Sequence, residues 1–157
     1  MISAMQLQGF RLRRFLIEPN NEYVFNEQQP QPDNSQLSFN FNFLQLPNLP
    51  AFNVPLAISV QAQKGSEAAC RVLRMECEVE GIFVFQGQLS DDLIETLITN
   101  ALTILYGTLR GLVLNATGLI HGGPYMLPAL NFAEAAERMV EEKKAALAKQ
   151  AGAPAPA

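Results

Sequence analysis

Apolar and polar residues alternate almost without error in the stretch SQLSFNFNFLQL, residues 35–46. Leu37, Phe39, Phe41 and Phe43 share one parity, and the residues between them are serine or asparagine. In a β-strand successive side chains point to opposite faces, so this strand would line one face of a sheet with a leucine and three phenylalanines. The pattern leaves open whether that face is sealed core or is kept accessible to an apolar ligand.

Residues 5–17 also alternate, but with a change of phase. Met5 and Leu7 have one parity, whereas Phe10, Leu12 and Leu16 have the other, and Gly9 lies at the change. A single glycine bulge in a strand would return all of these apolar residues to one face.

Two further strands follow the phenylalanine strand. Residues 54–62 come after the turn PNLP, and residues 71–86 form the longest strand, with apolar residues on one face and the stripe Glu76, Glu78 and Glu80 on the other. Short polar turns without helices between them predict an antiparallel meander. The proline-containing segment 26–36 predicts a long first crossover, so the first part of the chain is a four-stranded sheet.

The second part of the chain is helical, which makes the fold class α+β. Ser90 is a good N-cap, and apolar residues recur at helical spacing from Ile94 to Val113, which predicts a long helix to about Asn115. This helix is apolar over most of its circumference, so a partner subunit is the simplest source of its second covering layer. The residues expected at that oligomer interface are Ile98, Leu102, Leu105, Gly107, Leu109 and Gly111. A second helix, capped by Asn131, follows a loop.

Composition fits a single domain that associates with itself. The chain has 157 residues, of which 48% are hydrophobic and 17% charged, which is lightly charged for a monomer. We assign residues 1–150 to one domain and 151–157 to a disordered tail. The net charge of -4, without a large basic cluster, argues against nucleic acid. Glu95 and Arg110 interrupt the longest apolar region, which argues against membrane insertion.

Candidate chemistry is sparse. His121 has no identifiable nucleophile or orienting carboxylate, and no phosphate-binding glycine motif is present. Cys70 and Cys77 lie too far apart along one strand to form a disulfide, and with His121 they supply too few ligands for a metal. We therefore expect no enzyme activity, no cofactor and no metal. The glutamate stripe is either a solvated face or an acidic docking surface for a basic partner.

Three motifs resemble the SecB protein-export chaperone family. They are CEVEGIF at 77–83, ILYGTLRG at 104–111 and PYMLPALNFAEAA at 124–136. The order of four strands and two helices is also similar. The resemblance implies a molecular chaperone, a holdase that binds unfolded precursor proteins in apolar grooves, keeps them competent for translocation and delivers them to the SecA motor. It also implies a cytoplasmic homotetramer built as a dimer of dimers.

The resemblance further implies two groups of site residues. The client-binding residues are Leu37, Phe39, Phe41, Phe43, Met75, Phe83 and Tyr106. The SecA-docking residues are Glu78, its stripe neighbours Glu76 and Glu80, and Glu22. Two alternatives stay open at this point. A dedicated chaperone of a toxin-antitoxin system would look similar, and a non-chaperone structural or ligand-binding module of the same fold would use the phenylalanines as plain core.

Overall fold

The computed structural model describes residues 5–24, 35–87 and 90–152, with side chains described as far as residue 146. Its sheet contains the strands β1 (Met5–Pro19), β2 (Ser35–Phe41), β3 (Leu44–Gln45), β4 (Ala51–Ala62) and β5 (Val72–Phe85). Its helices are α1 (Asp91–Thr117) and α2 (Ala133–Gly152). The predicted α+β class, with strands first and helices last, is confirmed.

All strand pairs are antiparallel, and the spatial order is β1-β5-β4-β2, with the two-residue β3 also pairing with β4. Strands β2, β4 and β5 form a meander, whereas β1 lies at the opposite edge from β2. The connection from β1 to β2 is therefore a crossover, as predicted, although its residues 25–34 lie outside the described part of the chain. The predicted phenylalanine strand, residues 35–46, is divided in the structure into β2 and β3, with Asn42 and Phe43 between them.

One face of the sheet, here called the inner face, is covered by α1. Alternate residues of β4 and β5 on this face are fully buried, among them Leu56, Val60, Met75 and Phe83. The helix passes very close to β5, because a Cβ atom at Gly81 would lie 2.7 Å from Leu105 Cδ2. Each fully buried large aliphatic or aromatic side chain stabilises the fold by about 1.5–3 kcal/mol. The core therefore lies between α1 and the two central strands.

Strand β1 has two bulges that change which side chains reach the core. The register shifts between Leu7 and Gly9 and again between Leu12 and Arg14. The first shift is the predicted glycine bulge. The second shift places Phe15 opposite Cys77 on the inner face and Leu16 opposite Glu76 on the outer face. The prediction that Leu16 shares a face with Phe10 and Leu12 is wrong for this reason.

Helix α1 begins after its predicted cap, Ser90, and ends at Thr117, two residues beyond the predicted end at about Asn115. The Ser90 hydroxyl accepts a hydrogen bond from the Leu93 amide at 3.3 Å, and Gly118 follows the last helical residue, Thr117. In the described ranges, α1 is the one helix long and apolar enough to cross a membrane by length and composition. Packing against the sheet accounts for that composition, since Leu102 and Leu109 are fully buried there.

Hydrogen bonds to α1 position the segment that leads into α2. Tyr106 donates from its hydroxyl to the Pro128 carbonyl at 2.5 Å, and Arg110 Nε donates to the Leu127 carbonyl at 2.9 Å. The side chain of Asn131 accepts from the Ala133 amide at 3.1 Å, which confirms the predicted cap. Helix α2 continues to Gly152, so the first two residues of the predicted disordered tail are helical, and residues 153–157 lie outside the described chain.

Candidate functional site

The phenylalanine row of β2 lies on the inner face at the edge of the sheet. Leu37 pairs with Val60, and Phe39 and Phe41 pair with the next two buried positions of β4. Within the described ranges β2 pairs with β4 alone. Because the core lies over the central strands, this edge is incompletely covered: Phe39 remains 37% exposed, and Leu37 and Phe41 are half-buried.

Helix α2 forms the opposite wall of a groove along this row. A cavity of about 270 Å³ lies between the two elements, here called the β2–α2 groove. Its lining consists of Phe39, Asn40 and Phe41 from β2 and Ala135, Arg138, Met139 and Glu142 from α2. The aromatic rings of Phe39 and Phe41 stack with centroids 6.4 Å apart. The groove therefore has an aromatic wall, an apolar wall and a charged rim.

The position of α2 follows from the residue just before it. Phe132 is buried, and its ring meets Phe39 edge to face at 5.5 Å and Tyr106 at 5.3 Å. Three residues later the helix presents Ala135, and one turn further Met139, to the groove. A small and a flexible side chain at these positions leave space that bulky residues would fill.

A lysine on α2 lies at the Phe43 end of the groove. Lys143 Nζ donates to the Phe43 carbonyl at 3.2 Å and lies 4.8 Å from the centroid of the Phe43 ring. Burial lowers the pKa of Lys143 because the ammonium loses part of its hydration. The next residue, Lys144, forms a salt bridge with Asp91 at 3.1 Å. These contacts fasten α2 to the strand end and to the start of α1.

The structure divides the predicted client-binding residues. Leu37, Phe39 and Phe41 remain accessible at the groove or next to it. The other four predictions are corrected, because these side chains are core and offer no surface to a client: Phe43 is 6% exposed, Met75 0%, Phe83 0% and Tyr106 3%.

Ring contacts cover two of these residues. The Phe43 ring packs 4.4 Å from that of Phe52, and the Tyr106 ring meets that of Phe132 at 5.3 Å. Sequence reasoning missed the α2 wall of the groove. Its signal is the second apolar pair, Ala135 and Met139, beside the buried pair Ala136 and Val140.

The predicted oligomer interface is also corrected in part. Ile98, Leu102, Leu105 and Leu109 are fully buried against the sheet of their own chain, so they present no surface to a partner. Gly107 and Gly111 do lie on the open side of α1, since a Cβ at either position would meet nothing within 4 Å.

Between Asn100 and Asn115 the open side of α1 is uncharged, and exposed apolar residues of β1 lie near the helix. Besides the two glycines, the exposed positions in this part of α1 are Asn100, Thr103, Ile104, Thr108 and Asn115. On the inner face of β1, Leu7 is 37%, Phe10 37% and Leu12 44% exposed. Leu7 of β1 and Leu105 on the buried side of α1 both lie beside Gly81, so the inner face of β1 begins next to the helix. We call this combined area the β1–α1 surface.

Arginines on the outer face neutralise two glutamates of the stripe. Glu76 forms salt bridges with Arg14 at 2.5 Å and with Arg74, and Glu80 with Arg13 at 2.8 Å. The hydrogen bond from Arg74 holds the pKa of the Glu76 carboxyl below its ordinary value, and the one from Arg13 does the same for the pKa of Glu80.

Glu78 differs from its stripe neighbours. It is exposed, and none of the described cations lies within salt-bridge distance of it. Two shallow cavities of about 240 and 460 Å³ lie beside it, over the small residues Pro55, Ala57 and Ser59 of β4.

Glu22 lies away from the stripe. It is in the turn after β1, where its amide donates to Asn20 Oδ1 at 3.0 Å, and the Asn20 amide bonds the Arg71 carbonyl. Arg71 is seven residues from Glu78, about 23 Å along a strand. The stripe and Glu22 therefore do not form one local surface.

The remaining candidates for chemistry have structural partners. His121 Nε2 lies 2.7 Å from the Tyr23 carbonyl, which ties the loop after α1 to the turn after β1. Cys70 and Cys77 are both buried; Cys70 Sγ donates to the Ser66 carbonyl at 3.5 Å, and burial raises the pKa of Cys77 to about 11. Among the described residues, no three His, Cys, Asp or Glu side chains are placed to hold a metal ion.

Comparison with known proteins bears on the fold. No protein-family model matches the chain, and no curated protein matches it. Among solved structures, the Mycobacterium tuberculosis Rv1957 SecB-like chaperone, in complex with a ChAD peptide from the Rv1956 HigA1 antitoxin, matches with a TM-score of 0.59 and 21% identity, over 81% of this chain and 91% of that one. A protein of unknown function from Streptococcus agalactiae matches with a TM-score of 0.46 and 12% identity, over 80% and 97% of the two chains. The resemblance seen in the sequence is confirmed at the level of the fold, and the chain has the fold of a SecB-like chaperone.

Proposed function

We propose that this protein is a holdase chaperone that binds unfolded protein segments in the β2–α2 groove. The observation that carries the proposal is the accessible aromatic row of Phe39 and Phe41 on an edge strand, opposite the apolar wall of α2. A sealed core would leave no such cavity beside the row. The SecB-like fold supports the proposal, because the solved relative with this fold is described as a chaperone bound to a peptide.

Binding of this kind needs apolar burial and backbone pairing rather than a reaction. Burial of apolar surface contributes about 25 cal/mol per Å², and an edge strand offers main-chain hydrogen bonds that are independent of client sequence. A folded client has already buried its apolar residues, so selectivity would come from the unfolded state itself. On this account the protein is not an enzyme, uses no cofactor and acts in the cytoplasm.

The proposal includes self-association into a homotetramer, a dimer of dimers. The β1–α1 surface supports it, because exposed Phe10 and Leu12 adjoin an uncharged helix face on which Gly107 and Gly111 leave room for another backbone. Exposed apolar patches of this kind commonly mark protein interfaces. The low charged fraction of the chain, 17%, agrees with a covered surface.

To test client binding, the Phe39→Ser variant is mixed with a reduced, unfolded client, and the aggregation of the client is measured. We expect this variant to lose most of its suppression at equal folded concentration. The matched control is Leu16→Ser, because Leu16 is 36% exposed on the outer face and Phe39 is 37% exposed in the groove. If both variants suppress aggregation as well as the wild type, the groove is not the client site. If Phe39→Ser unfolds the protein, the result favours the alternative in which the phenylalanines are plain core.

Delivery of clients to SecA for protein export is the finer part of the proposal. Glu78 is its best candidate contact, since it has no arginine partner among the described residues whereas Glu76 and Glu80 do. Titration of SecA into Glu78→Gln should then give weaker binding than into Glu80→Gln. If both variants and the wild type bind SecA with equal affinity, the glutamate stripe is not the SecA contact.

A dedicated role in a toxin-antitoxin system is the second candidate. The observation that favours it is the antitoxin peptide bound to the Mycobacterium tuberculosis relative. The two candidates differ in client range. A dedicated chaperone would protect one antitoxin and leave unrelated unfolded proteins to aggregate, whereas an export chaperone would protect many.

A further inference from the structure

Two cations flank the β2–α2 groove without a carboxylate partner among the described side chains. Arg138 lines the cavity, and Lys143 lies one helical turn beyond Met139. The described salt bridge of α2 joins its neighbour Lys144 to Asp91 instead. Glu142 lines the cavity but forms no salt bridge with either cation in the described part of the chain. The charges of Arg138 and Glu142 in the lining balance, so Lys143 at the Phe43 end is the cation left without a counter-charge.

The surroundings of Lys143 suit an incoming anion. Its Nζ uses one donor on the Phe43 carbonyl and faces the Phe43 ring, so it is held in place by neutral groups. An ammonium has three donors, and carboxylates are its stronger hydrogen-bond partners. Burial lowers the pKa of Lys143, which indicates that the cation lacks part of its hydration. A carboxylate placed beside the Lys143 ammonium would compensate for this lost hydration.

The spacing of the row tells where the carboxylate of a client would lie. The Phe39 and Phe41 rings are 6.4 Å apart, close to the ~6.6 Å that separates alternate residues of an extended chain. Phe43 follows at the next step of two residues, and the Lys143 ammonium lies over it. An extended segment with apolar side chains against Phe39 and Phe41 would bring its next residue on the same side to Lys143.

We infer that the β2–α2 groove prefers extended client segments of the pattern apolar-x-apolar-x-acidic, or the reverse order for the opposite chain direction, with the client carboxylate paired to Lys143. This inference rests on the proposed function and adds a client preference to it. The preferred client segments therefore carry an acidic residue at one end of an apolar pair.

The test is fluorescence anisotropy with labelled peptides and the full chain. One peptide carries Phe-Ser-Phe-Ser-Asp in a Gly-Ser frame, a second carries the reversed order, and matched peptides carry Asn or Lys in place of Asp. We expect the better Asp peptide to bind about three- to tenfold more tightly than its Asn match, as for one charge-assisted pair. Salt at about 0.5 M should reduce the difference, because it screens the pair.

Two lysine variants complete the test. Lys143→Gln should bind the Asp and Asn peptides with equal affinity. Lys144→Gln is the matched control and should keep the preference, since Lys144 pairs with Asp91. The inference is overturned if the wild type does not distinguish Asp from Asn, or if the preference survives in Lys143→Gln. If no peptide binds and Phe39→Ser still suppresses client aggregation, the proposed function fails as well.

Discussion

The rings of Phe39 and Phe132 meet edge to face with centroids 5.5 Å apart, where the edge strand β2 meets the start of α2. Phe132 is 2% exposed and also contacts Tyr106, so the core holds it in place. Phe39 is 37% exposed, so one part of its ring rests on the core and another faces the groove. The contact gives the β2–α2 groove a rigid support.

This arrangement predicts different costs for truncating the two rings. Phe132→Ala should lower the free energy of unfolding by about 3–5 kcal/mol, because it leaves a cavity between Phe39 and Tyr106. Phe39→Ser should cost only about 1–2 kcal/mol, because part of the ring is in water in the folded state. Urea denaturation followed by circular dichroism measures both. Equal losses of more than about 3 kcal/mol would mean that Phe39 is core.

The close packing of α1 against β5 at Gly81 leaves no room for a larger side chain at this position. In Gly81→Ala the new Cβ would lie 2.7 Å from Leu105 Cδ2 and 2.8 Å from Phe83 Cε2, so the core must shift. We expect a loss of about 1–3 kcal/mol in the free energy of unfolding, as for other overpacked cores. The control is Gly9→Ala, where the added Cβ would meet only Ile82 Cβ, at the ordinary contact distance of 3.9 Å. A neutral Gly81→Ala would contradict the close approach of α1.

Because Cys77 is buried as a neutral thiol, we expect the free energy of unfolding to fall in alkaline solution. Burial raises the pKa of its thiol from 9.0 to about 11, so the unfolded chain loses this proton at a lower pH than the folded chain. The unfolded state is then favoured as the pH rises through the range from 9.0 to about 11. Unfolding in urea at several pH values, under reducing conditions, should show a steeper decline for the wild type than for Cys77→Ala. Parallel declines would show that Cys77 is not the group responsible.

Self-association through the β1–α1 surface gives a further prediction. Phe10→Asp places a charge among exposed apolar residues, where Phe10 is 37% exposed in the protomer. The variant should keep its fold and fall from tetramer to a smaller species, as measured by light scattering during gel filtration. Leu16→Asp on the outer face is the control and should keep the wild-type mass. A wild-type mass for Phe10→Asp would place the interface elsewhere.

Local patterns in the sequence predicted most of the fold. The two-residue period located β1, β2, β4 and β5, and the capping residues Ser90 and Asn131 located the helix starts. These features are local, because each strand face and each cap depends on neighbours along the chain. The second bulge in β1 was not predictable, since no glycine or change of composition marks the shift between Leu12 and Arg14.

The site was predicted less completely, because accessibility depends on packing between distant segments. The alternating pattern places Phe39 and Phe43 on one face, but only their contacts separate them: Phe39 faces the groove, whereas Phe43 is closed by Phe52 and Lys143. The same limit applies to α1, whose apolar circumference did not show that Leu102 faces its own sheet and Gly107 the open side.

The most direct test of the central claim is photo-crosslinking to a reduced, unfolded client from single sites. The photoreactive residue p-benzoyl-phenylalanine would replace Met139, which lines the β2–α2 groove, or Leu16, which lies on the outer face. The account predicts strong client crosslinks from position 139 and few from position 16, with both variants still suppressing client aggregation. Crosslinks from position 16, with none from position 139, would contradict it.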